Sequence, residues 1–395
     1  MKKKIIFMII NMNVGGTEKA LLNMIAEIPE EKYEITILML EEYGGFLSHI
    51  PQHVIIKIVK NYDEIKNLVN NPPLQTSLNL LKKGNILSGI KLIFTHLYAK
   101  VKNDRSIYFK KVLSKYEMEN IEYDLAVAYA GPMDFISYFV LNKIKAKKKA
   151  QWIHFDISKL SIRNSFEIRM YNFFDCVFVV SQEIKTNLIN IMPHLSSKTE
   201  VFKNIIPTKS ITTLANVGKG YLDEFDGIRI LTVGRLTIEK GQDLAIEALS
   251  KLIKSGYNVK WYCLGEGVSR SYYEKMVEEN NLKGKFILLG NNPNPYPYIK
   301  ECDIYVQPSR HEGFCLTLGE ARFFKKPIVS TNTLGAKGQL KNNETGLLVP
   351  VDPSKIYEAI IKLVNDKELL NKLSGNLEKE IFKSNEIEKI YKLTN

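Results

Sequence analysis

Short runs of apolar residues alternate with helical patterns along the chain and predict the strands of two parallel sheets. The first half contains six such runs: Ile5–Ile10, Ile35–Leu40, Val54–Val59, Leu125–Ala128, Gln151–Ile153 and Cys176–Val180. They lack polar alternation, which is typical of strands that are buried on both faces. A glycine turn follows the first run, and apolar residues then recur at helical spacing until Pro29 closes the helix. This strand, glycine loop and helix predict the opening unit of a doubly wound domain.

The same alternation restarts in the second half of the chain. Its apolar runs are Ile228–Val233, Val259–Leu264, Phe286–Leu289, Ile304–Gln307 and Ile328–Thr331. Helical patterns separate them, including Gln242–Ile253 and Pro353–Val364. Residues 204–227 contain one proline and several glycines, and we predict that they link the two halves.

The length of 395 residues exceeds what one hydrophobic core usually supports, so we expect two domains. We predict an N-terminal domain over residues 1–205, with a helical insertion over about 61–120, and a C-terminal domain over 206–375. Residues 376–395 predict a final helix that packs back on the N-terminal domain. The fold class is therefore α/β, with two Rossmann-like doubly wound domains. Such domains bind ligands at the carboxyl ends of their strands, and we expect the site in the cleft between them.

The positive charge of the chain is concentrated around the helical insertion. The net charge is +12, and residues 51–150 alone hold 17 lysines and arginines against 8 acidic residues. A basic, amphipathic helical segment suits an anionic membrane face or another polyanion. An ordinary helix pair with a lysine-rich solvated surface explains the same pattern, and both interpretations stay open.

The cysteines and the N-terminus predict a cytoplasmic protein. The four cysteines form no C-x-x-C pair, as expected of buried thiols in a reducing compartment, and Cys315 alone falls in a candidate ligand loop. No apolar run approaches the roughly 18 residues of a membrane span. The lysines of residues 2–4 and the apolar run after them resemble a signal peptide, but the run leads into a glycine turn, so we predict a first strand. Peripheral attachment to the inner face of the plasma membrane remains compatible with the basic segment.

The segment 311–320, His-Glu-Gly-Phe-Cys-Leu-Thr-Leu-Gly-Glu, predicts an anion site. It follows an apolar strand and enters a helical pattern, so loop amides and a helix N-terminus face the same point. Glu312 in the loop and Glu320 in the helix can accept hydrogen bonds from hydroxyl groups on either side of that anion. An anion with hydroxyls at both ends describes a nucleotide sugar.

This segment resembles the E-x7-E signature of retaining family 4 glycosyltransferases, which have the GT-B fold. Three further segments resemble the family in the expected order. They are Gly15-Gly16-Thr17-Glu18 after the first strand, Val180-Ser181 with Asn204 before the crossover, and Val233-Gly234-Arg235-Leu236 with Lys240-Gly241. Four matches in order are far more specific than two glutamates eight positions apart.

The resemblance implies roles for residues of the second half. Arg235 and Lys240, beside Gly234, would hold the donor pyrophosphate and stabilise the departing nucleoside diphosphate; two cations can neutralise a diphosphate without a metal. Glu320 would accept from the ribose hydroxyls, and Glu312 would contact sugar hydroxyls near the reacting carbon. The loop backbone would approach the phosphates or the sugar through Gly313, Phe314, Cys315 and Leu316.

The first half would contribute fewer residues. In the family, a histidine at the position of His154 contacts the donor sugar and helps to stabilise charge during transfer. Gly15 and Gly16 would let the backbone approach donor or acceptor closely. A structural histidine and a plain tight turn are the alternatives. The resemblance implies neither a metal nor a cofactor.

We therefore expect retaining transfer of a hexose-type sugar to a glycan or lipid-linked acceptor in bacterial surface polysaccharide or glycoconjugate synthesis. A UDP-sugar is favoured over GDP-mannose because it is the commoner donor in the family. Cys315, Lys326 and Gln339 depart from the usual pattern and leave the donor sugar open. The alternatives are a nucleotide-sugar 2-epimerase of the same fold, a catalytically inactive partner subunit, and a basic membrane- or nucleic-acid-binding protein. Nucleic acid is disfavoured, since no binding signature accompanies the charge.

Overall fold

The computed structural model describes residues 2–63, 65–66, 73–82, 84, 86–102, 104–114, 120–131, 134–155, 169–379 and 385–395. The chain forms two compact units. The first comprises Met1–Asn13, Ile25–Phe202 and Glu386–Asn395, and the second comprises Val14–Met24 and Lys203–Asn385. Parts of the predicted helical insertion, including residues 67–72 and 115–119, lie outside the described residues.

The first unit contains a seven-stranded parallel sheet in the order β3-β2-β1-β4-β5-β6-β7. Its strands are β1 (Lys3–Ile9), β2 (Tyr33–Met39), β3 (Ile55–Ile58), β4 (Glu122–Ala128), β5 (Lys145–Ile153), β6 (Cys176–Val179) and β7 (Thr199–Val201). The order reverses beside β1, as in doubly wound folds. Six strands coincide with the apolar runs, whereas the three-residue edge strand β7 was not predicted. The expected burial on both faces is wrong for the strand β3, whose Ile55 and Ile56 are 39% and 44% exposed.

The helices of the first unit include the predicted insertion. They are α2 (Pro73–Lys82), α3 (Ile86–Val101), α4 (Ser106–Val112), α5 (Asp134–Lys143), α6 (Gln182–Ile191) and α15 (Ile387–Thr394). The C-terminal helix α15 stacks Tyr391 on Tyr33, with 5.3 Å between ring centroids, and buries Ile390. None of the described helices is long and apolar enough to cross a membrane.

The second unit contains a six-stranded parallel sheet in the order β10-β9-β8-β11-β12-β13. Its strands are β8 (Ile228–Val233), β9 (Val259–Leu264), β10 (Phe286–Gly290), β11 (Ile304–Gln307), β12 (Ile328–Thr331) and β13 (Leu347–Val349). Its helices are α1 (Gly16–Ile25), α7 (Thr208–Leu214), α8 (Gln242–Lys254), α9 (Arg270–Glu279), α10 (Tyr296–Glu301), α11 (Leu316–Phe323), α12 (Leu334–Lys337), α13 (Pro353–Asn365) and α14 (Lys367–Glu378). Apolar side chains from helices α7 to α14 pack with the strands in two clusters that cover the sheet.

Two segments of the second unit differ from the prediction. The expected linker over 204–227 contains helix α7, because Ile211 and Ala215 lie on one helical face and enter the core beside Leu231 and Tyr262. Helix α1 follows β1 of the first unit but is grouped with the second. There the Asn23 side-chain amide donates a hydrogen bond of 3.0 Å to the Ile205 carbonyl.

Candidate active site

A glycine with a left-handed conformation fixes the turn after β8. A 3-10 turn over Ile238–Lys240 ends at Gly241, whose φ is +73°. A Cβ at Gly241 would lie 2.1 Å from the carbonyl oxygen of Pro308, so the position excludes every side chain. The close contact brings Lys240, at the carboxyl end of β8, beside the segment that follows β11.

Lys240 and Glu312 form a largely buried ion pair at this place. The Lys240 Nζ lies 2.8 Å from Glu312 Oε1, and their side chains are only 17% and 8% exposed. The same oxygen accepts hydrogen bonds from the Ser309 hydroxyl at 2.8 Å and the Gln307 amide at 3.3 Å. Burial disfavours the charge on Lys240, but the Glu312 carboxylate outweighs it and raises the lysine pKa. Lys240 is therefore a fixed positive charge.

The loop between Glu312 and α11 has a defined backbone. Cys315, which precedes the helix, has a left-handed φ of +63°. The Gln339 amide donates to the carbonyl groups of Phe314 and Cys315, and the Gly335 amide donates to the Glu312 carbonyl at 3.1 Å. These contacts brace the loop against α12, with the α11 N-terminus behind it.

The Cys315 thiol is poorly placed for reactivity. It is buried, and burial raises its pKa to about 12. Since the thiolate is the nucleophilic form, the side chain acts as a small apolar residue in the core below the loop.

Glu320 lies on α11 and is 2% exposed. It accepts a hydrogen bond of 3.0 Å from the Tyr296 hydroxyl, and the Lys19 Nζ lies 5.0 Å from the centroid of the Tyr296 ring. Burial raises the pKa of Glu320 to about 7, although Lys19 and the Tyr296 hydroxyl both favour the ionised form. The carboxylate thus titrates near neutral pH.

Arg235 follows Gly234 at the end of β8, and its partner in the structure is Glu239. Its side chain is 61% exposed and pairs with Glu239 at 2.8 Å, on the following turn. Such an exposed pair contributes little to stability, so the guanidinium can change partner at small cost.

His154 belongs to the first unit, directly after β5. Its Nε2 donates a hydrogen bond of 2.8 Å to the Tyr129 carbonyl, and its ring packs against Tyr129 with 4.6 Å between centroids. Burial lowers the pKa of His154 to about 4. The imidazole is therefore neutral at pH 7, and its Nδ1 is an acceptor.

The glycine turn of residues 15 and 16 begins α1. The Gly15 carbonyl accepts from the Lys19 amide at 3.0 Å, and a Cβ on Gly15 would meet the Glu18 carboxylate at 2.5 Å. A Cβ on Gly16 would meet no atom within 4 Å. The Glu18 carboxylate is the end of a flexible side chain that can move aside, so this contact does not require a glycine, and the predicted ligand contacts of both glycines remain predictions.

The structure adds polar residues that the sequence analysis did not assign to the site: Lys19, Tyr296, Gln307, Ser309 and Gln339. Gln307 and Ser309 carry a sequence signal, because they are polar and stand at the carboxyl end of an apolar strand. Tyr296 carries none, since its partner Glu320 lies 24 positions away in the chain.

Comparison with known proteins finds a family match within the second unit. Residues 224–380 match the family described as "Glycosyl transferases group 1". Solved structures show that the fold is that of GT-B enzymes. Staphylococcus aureus TarM, in a complex that includes UDP, aligns over 100% of both chains with a TM-score of 0.69 at 16% identity. Anabaena HepE in complex with UDP covers 95% of this chain and 93% of its own, with a TM-score of 0.63 at 17% identity.

Curated relatives share more sequence over a shorter length. The chain is 32% identical over 190 residues to a Campylobacter jejuni enzyme, N-acetylgalactosamine-N,N'-diacetylbacillosaminyl-diphospho-undecaprenol 4-alpha-N-acetylgalactosaminyltransferase. That match covers 47% of this chain and 50% of the relative. The chain is also 29% identical over 162 residues to the capsular polysaccharide biosynthesis glycosyltransferase CapM of Staphylococcus aureus. This match covers 40% of the chain and 42% of CapM. The chain thus spans about half the length of the curated relatives it matches.

Proposed function

We propose that the protein transfers a hexose-type sugar from a UDP-sugar to a glycan or lipid-linked acceptor, with retention and without a metal, in the synthesis of a bacterial surface polysaccharide. The observation that carries the proposal is the Lys240–Glu312 pair, which adjoins the loop at the α11 N-terminus, with Glu320 further along the helix. Positive charge, backbone amides and two carboxylates are the groups that a diphosphate flanked by hydroxyls requires.

In the proposed reaction the anomeric carbon–phosphate oxygen bond breaks and a bond to the acceptor oxygen forms. The acceptor proton passes to the departing diphosphate. Lys240, the α11 amides and a reoriented Arg235 would stabilise the charge that develops on the leaving group. This supply of positive charge is the basis for proposing that no metal is needed.

The hydrogen bonds of the Glu312 carboxylate support retention without a protein nucleophile. One oxygen of its carboxylate already accepts from Lys240, Ser309 and Gln307. These bonds occupy that oxygen and fix the orientation of the carboxylate, so it suits binding of sugar hydroxyls better than attack on the anomeric carbon. His154, neutral and with an acceptor nitrogen, is proposed to contact the donor sugar.

The proposed classes of donor and acceptor are based on the ligands and names of similar proteins. HepE has been crystallised with UDP-glucose, and the names of the Campylobacter and CapM relatives include a diphospho-undecaprenol and a capsular polysaccharide. The proposal is tested by incubating the protein with a panel of UDP- and GDP-sugars and measuring release of the nucleotide. Turnover of a UDP-sugar with the α-configured product is expected, and an inverted product would contradict retention.

We also propose peripheral binding to an anionic membrane through helix α3. Three of its apolar side chains, Leu87, Phe94 and Val101, are 85%, 68% and 83% exposed. The opposite face packs on the protein through Leu92 and Ala99. The chain has no acidic residue between Glu64 and Asp104, and the exposed lysines 91, 100 and 102 flank the apolar face. Apolar side chains bordered by lysines are typical of helices that lie on anionic bilayers.

A further inference from the structure

Glu320 is part of a buried cluster built from three separate helices. Its partner Tyr296 begins α10 and is fully buried, and Lys19 comes from α1. The tyrosine hydroxyl donates to the carboxylate at 3.0 Å, while the face of the same ring receives the Lys19 ammonium at 5.0 Å. One aromatic side chain therefore touches both charged groups.

This arrangement offsets the cost of burying the Glu320 carboxylate. A carboxylate loses hydration when it is buried and is stabilised only by hydrogen bonds and nearby positive charge. The Tyr296 hydroxyl occupies one of its roughly four acceptor sites and Lys19 supplies the charge, so further acceptor sites can serve a ligand. The phenol also restricts rotation of the carboxyl group.

We propose that Tyr296 and Lys19 are positioning residues that keep Glu320 oriented and ionised, so that it can accept hydrogen bonds from the ribose hydroxyls of the donor. The inference rests on the proposed function and names what determines ribose recognition in that site. Lys19 acts through its charge, and Tyr296 acts through its hydroxyl. Neither needs to touch the nucleotide.

The decisive experiment compares UDP with 2′,3′-dideoxy-UDP, which lacks the hydroxyls that Glu320 is proposed to bind. Calorimetry measures the Kd of both nucleotides for the wild type, Tyr296→Phe, Lys19→Met and Glu320→Gln. The wild type should prefer UDP by at least tenfold. Tyr296→Phe should raise the Kd of UDP about tenfold, as expected for loss of a hydrogen bond to a charged group. The Kd of dideoxy-UDP should not change. Glu320→Gln should remove most of the preference.

Matched variants separate positioning from folding. Tyr298→Phe makes the same chemical change on the same helix, away from Glu320, and should leave both Kd values unchanged. Lys19→Arg should restore most of the preference that Lys19→Met loses. Equal weakening of both nucleotides by Tyr296→Phe would overturn the proposal and indicate a structural role. Equal binding of the two nucleotides by the wild type would also overturn it, whereas a wild type that binds neither would contradict the proposed function itself.

Discussion

Lys240 Nζ and Glu312 Oε1 lie 2.8 Å apart, although 72 positions separate the two residues in the chain. The contact joins the turn after β8 to the loop after β11. Each side chain would otherwise be an isolated charge in a largely buried place, which is energetically costly. The ion pair therefore stabilises the loop through Lys240, the same side chain that we propose to bind the donor diphosphate.

Removing the lysine charge should impair both turnover and stability. Lys240→Met leaves the Glu312 carboxylate buried without its cation, so we expect about 3 kcal/mol of destabilisation and a fall in donor turnover on the order of 10²-fold. Denaturant unfolding and a nucleotide-release assay measure the two effects. Lys275→Met, which removes an exposed lysine from a surface pair, is the control and should change neither. Turnover close to that of the wild type would refute the site assignment.

Alanine substitutions at Gly241 and Gly284 separate the cost of a steric contact from the cost of the left-handed backbone. Both have φ of +73°, but a Cβ at Gly284 meets no atom within 4 Å, whereas one at Gly241 collides with the Pro308 carbonyl. Gly284→Ala should cost about 1 kcal/mol for the left-handed conformation alone. Gly241→Ala should cost clearly more and lower donor turnover, since Lys240 would move. Equal melting temperatures for the two variants would show that the close contact does not constrain the turn.

The affinity for UDP should depend on pH through Glu320. Its folded-state pKa of about 7 lies above the ordinary value of 4.5, so the carboxylate gains a proton as the pH falls through 7. If only the ionised form binds the ribose well, the Kd for UDP should rise about tenfold between pH 8 and pH 6. Lys19 and Tyr296 favour the ionised form, and Tyr305 is a further titratable group near it. Lys19→Met should therefore move the midpoint to higher pH.

The nucleotide itself also titrates in this range, since phosphate has a second pKa of about 6. Glu320→Gln is the control, because it keeps the phosphate titration and removes that of the carboxyl group. The same raised pKa predicts that Glu320 reduces stability as the pH rises from about 4.5 to 7, because the folded state binds more protons than the unfolded state there. Identical pH profiles for the wild type and Glu320→Gln would contradict this account.

Helix α3 should determine binding to anionic vesicles. Replacing Leu87, Phe94 and Val101 together by serine should abolish sedimentation with phosphatidylglycerol vesicles, since it removes the exposed apolar face. Val268→Ser is the control, because Val268 is 96% exposed but lies in the second unit. Release of UDP from a soluble donor should be unchanged in both. Equal sedimentation of the triple variant would identify α3 as an ordinary surface helix.

The sequence predicted much of the fold because strands buried on both faces are continuous apolar runs. All five runs of the second half became strands. The two strands that were missed, β7 and β13, have three residues each, too few for a pattern to stand out. Helix α7 was missed because Pro207 and the glycines after it outweighed a short apolar spacing.

The residues of the candidate site stand in local motifs, but their long-range contacts could not be predicted. Glu312, Lys240 and Glu320 could be named because each stands in a motif at a strand end or helix start. The pairing of Lys240 with Glu312 depends on the order of β8 and β11 in the sheet, which no local pattern encodes. The contact of Tyr296 with Glu320 depends likewise on the packing of α10 against α11.

Nucleotide binding by the protein tests the proposed metal-independent site, and it is measured as a thermal shift with UDP, GDP and UDP-sugars, with and without EDTA. We predict that UDP raises the melting temperature, that EDTA leaves the rise unchanged, and that Lys240→Met and Glu320→Gln reduce it. No rise with any nucleotide, or a rise that EDTA removes, would contradict a metal-independent nucleotide-sugar site.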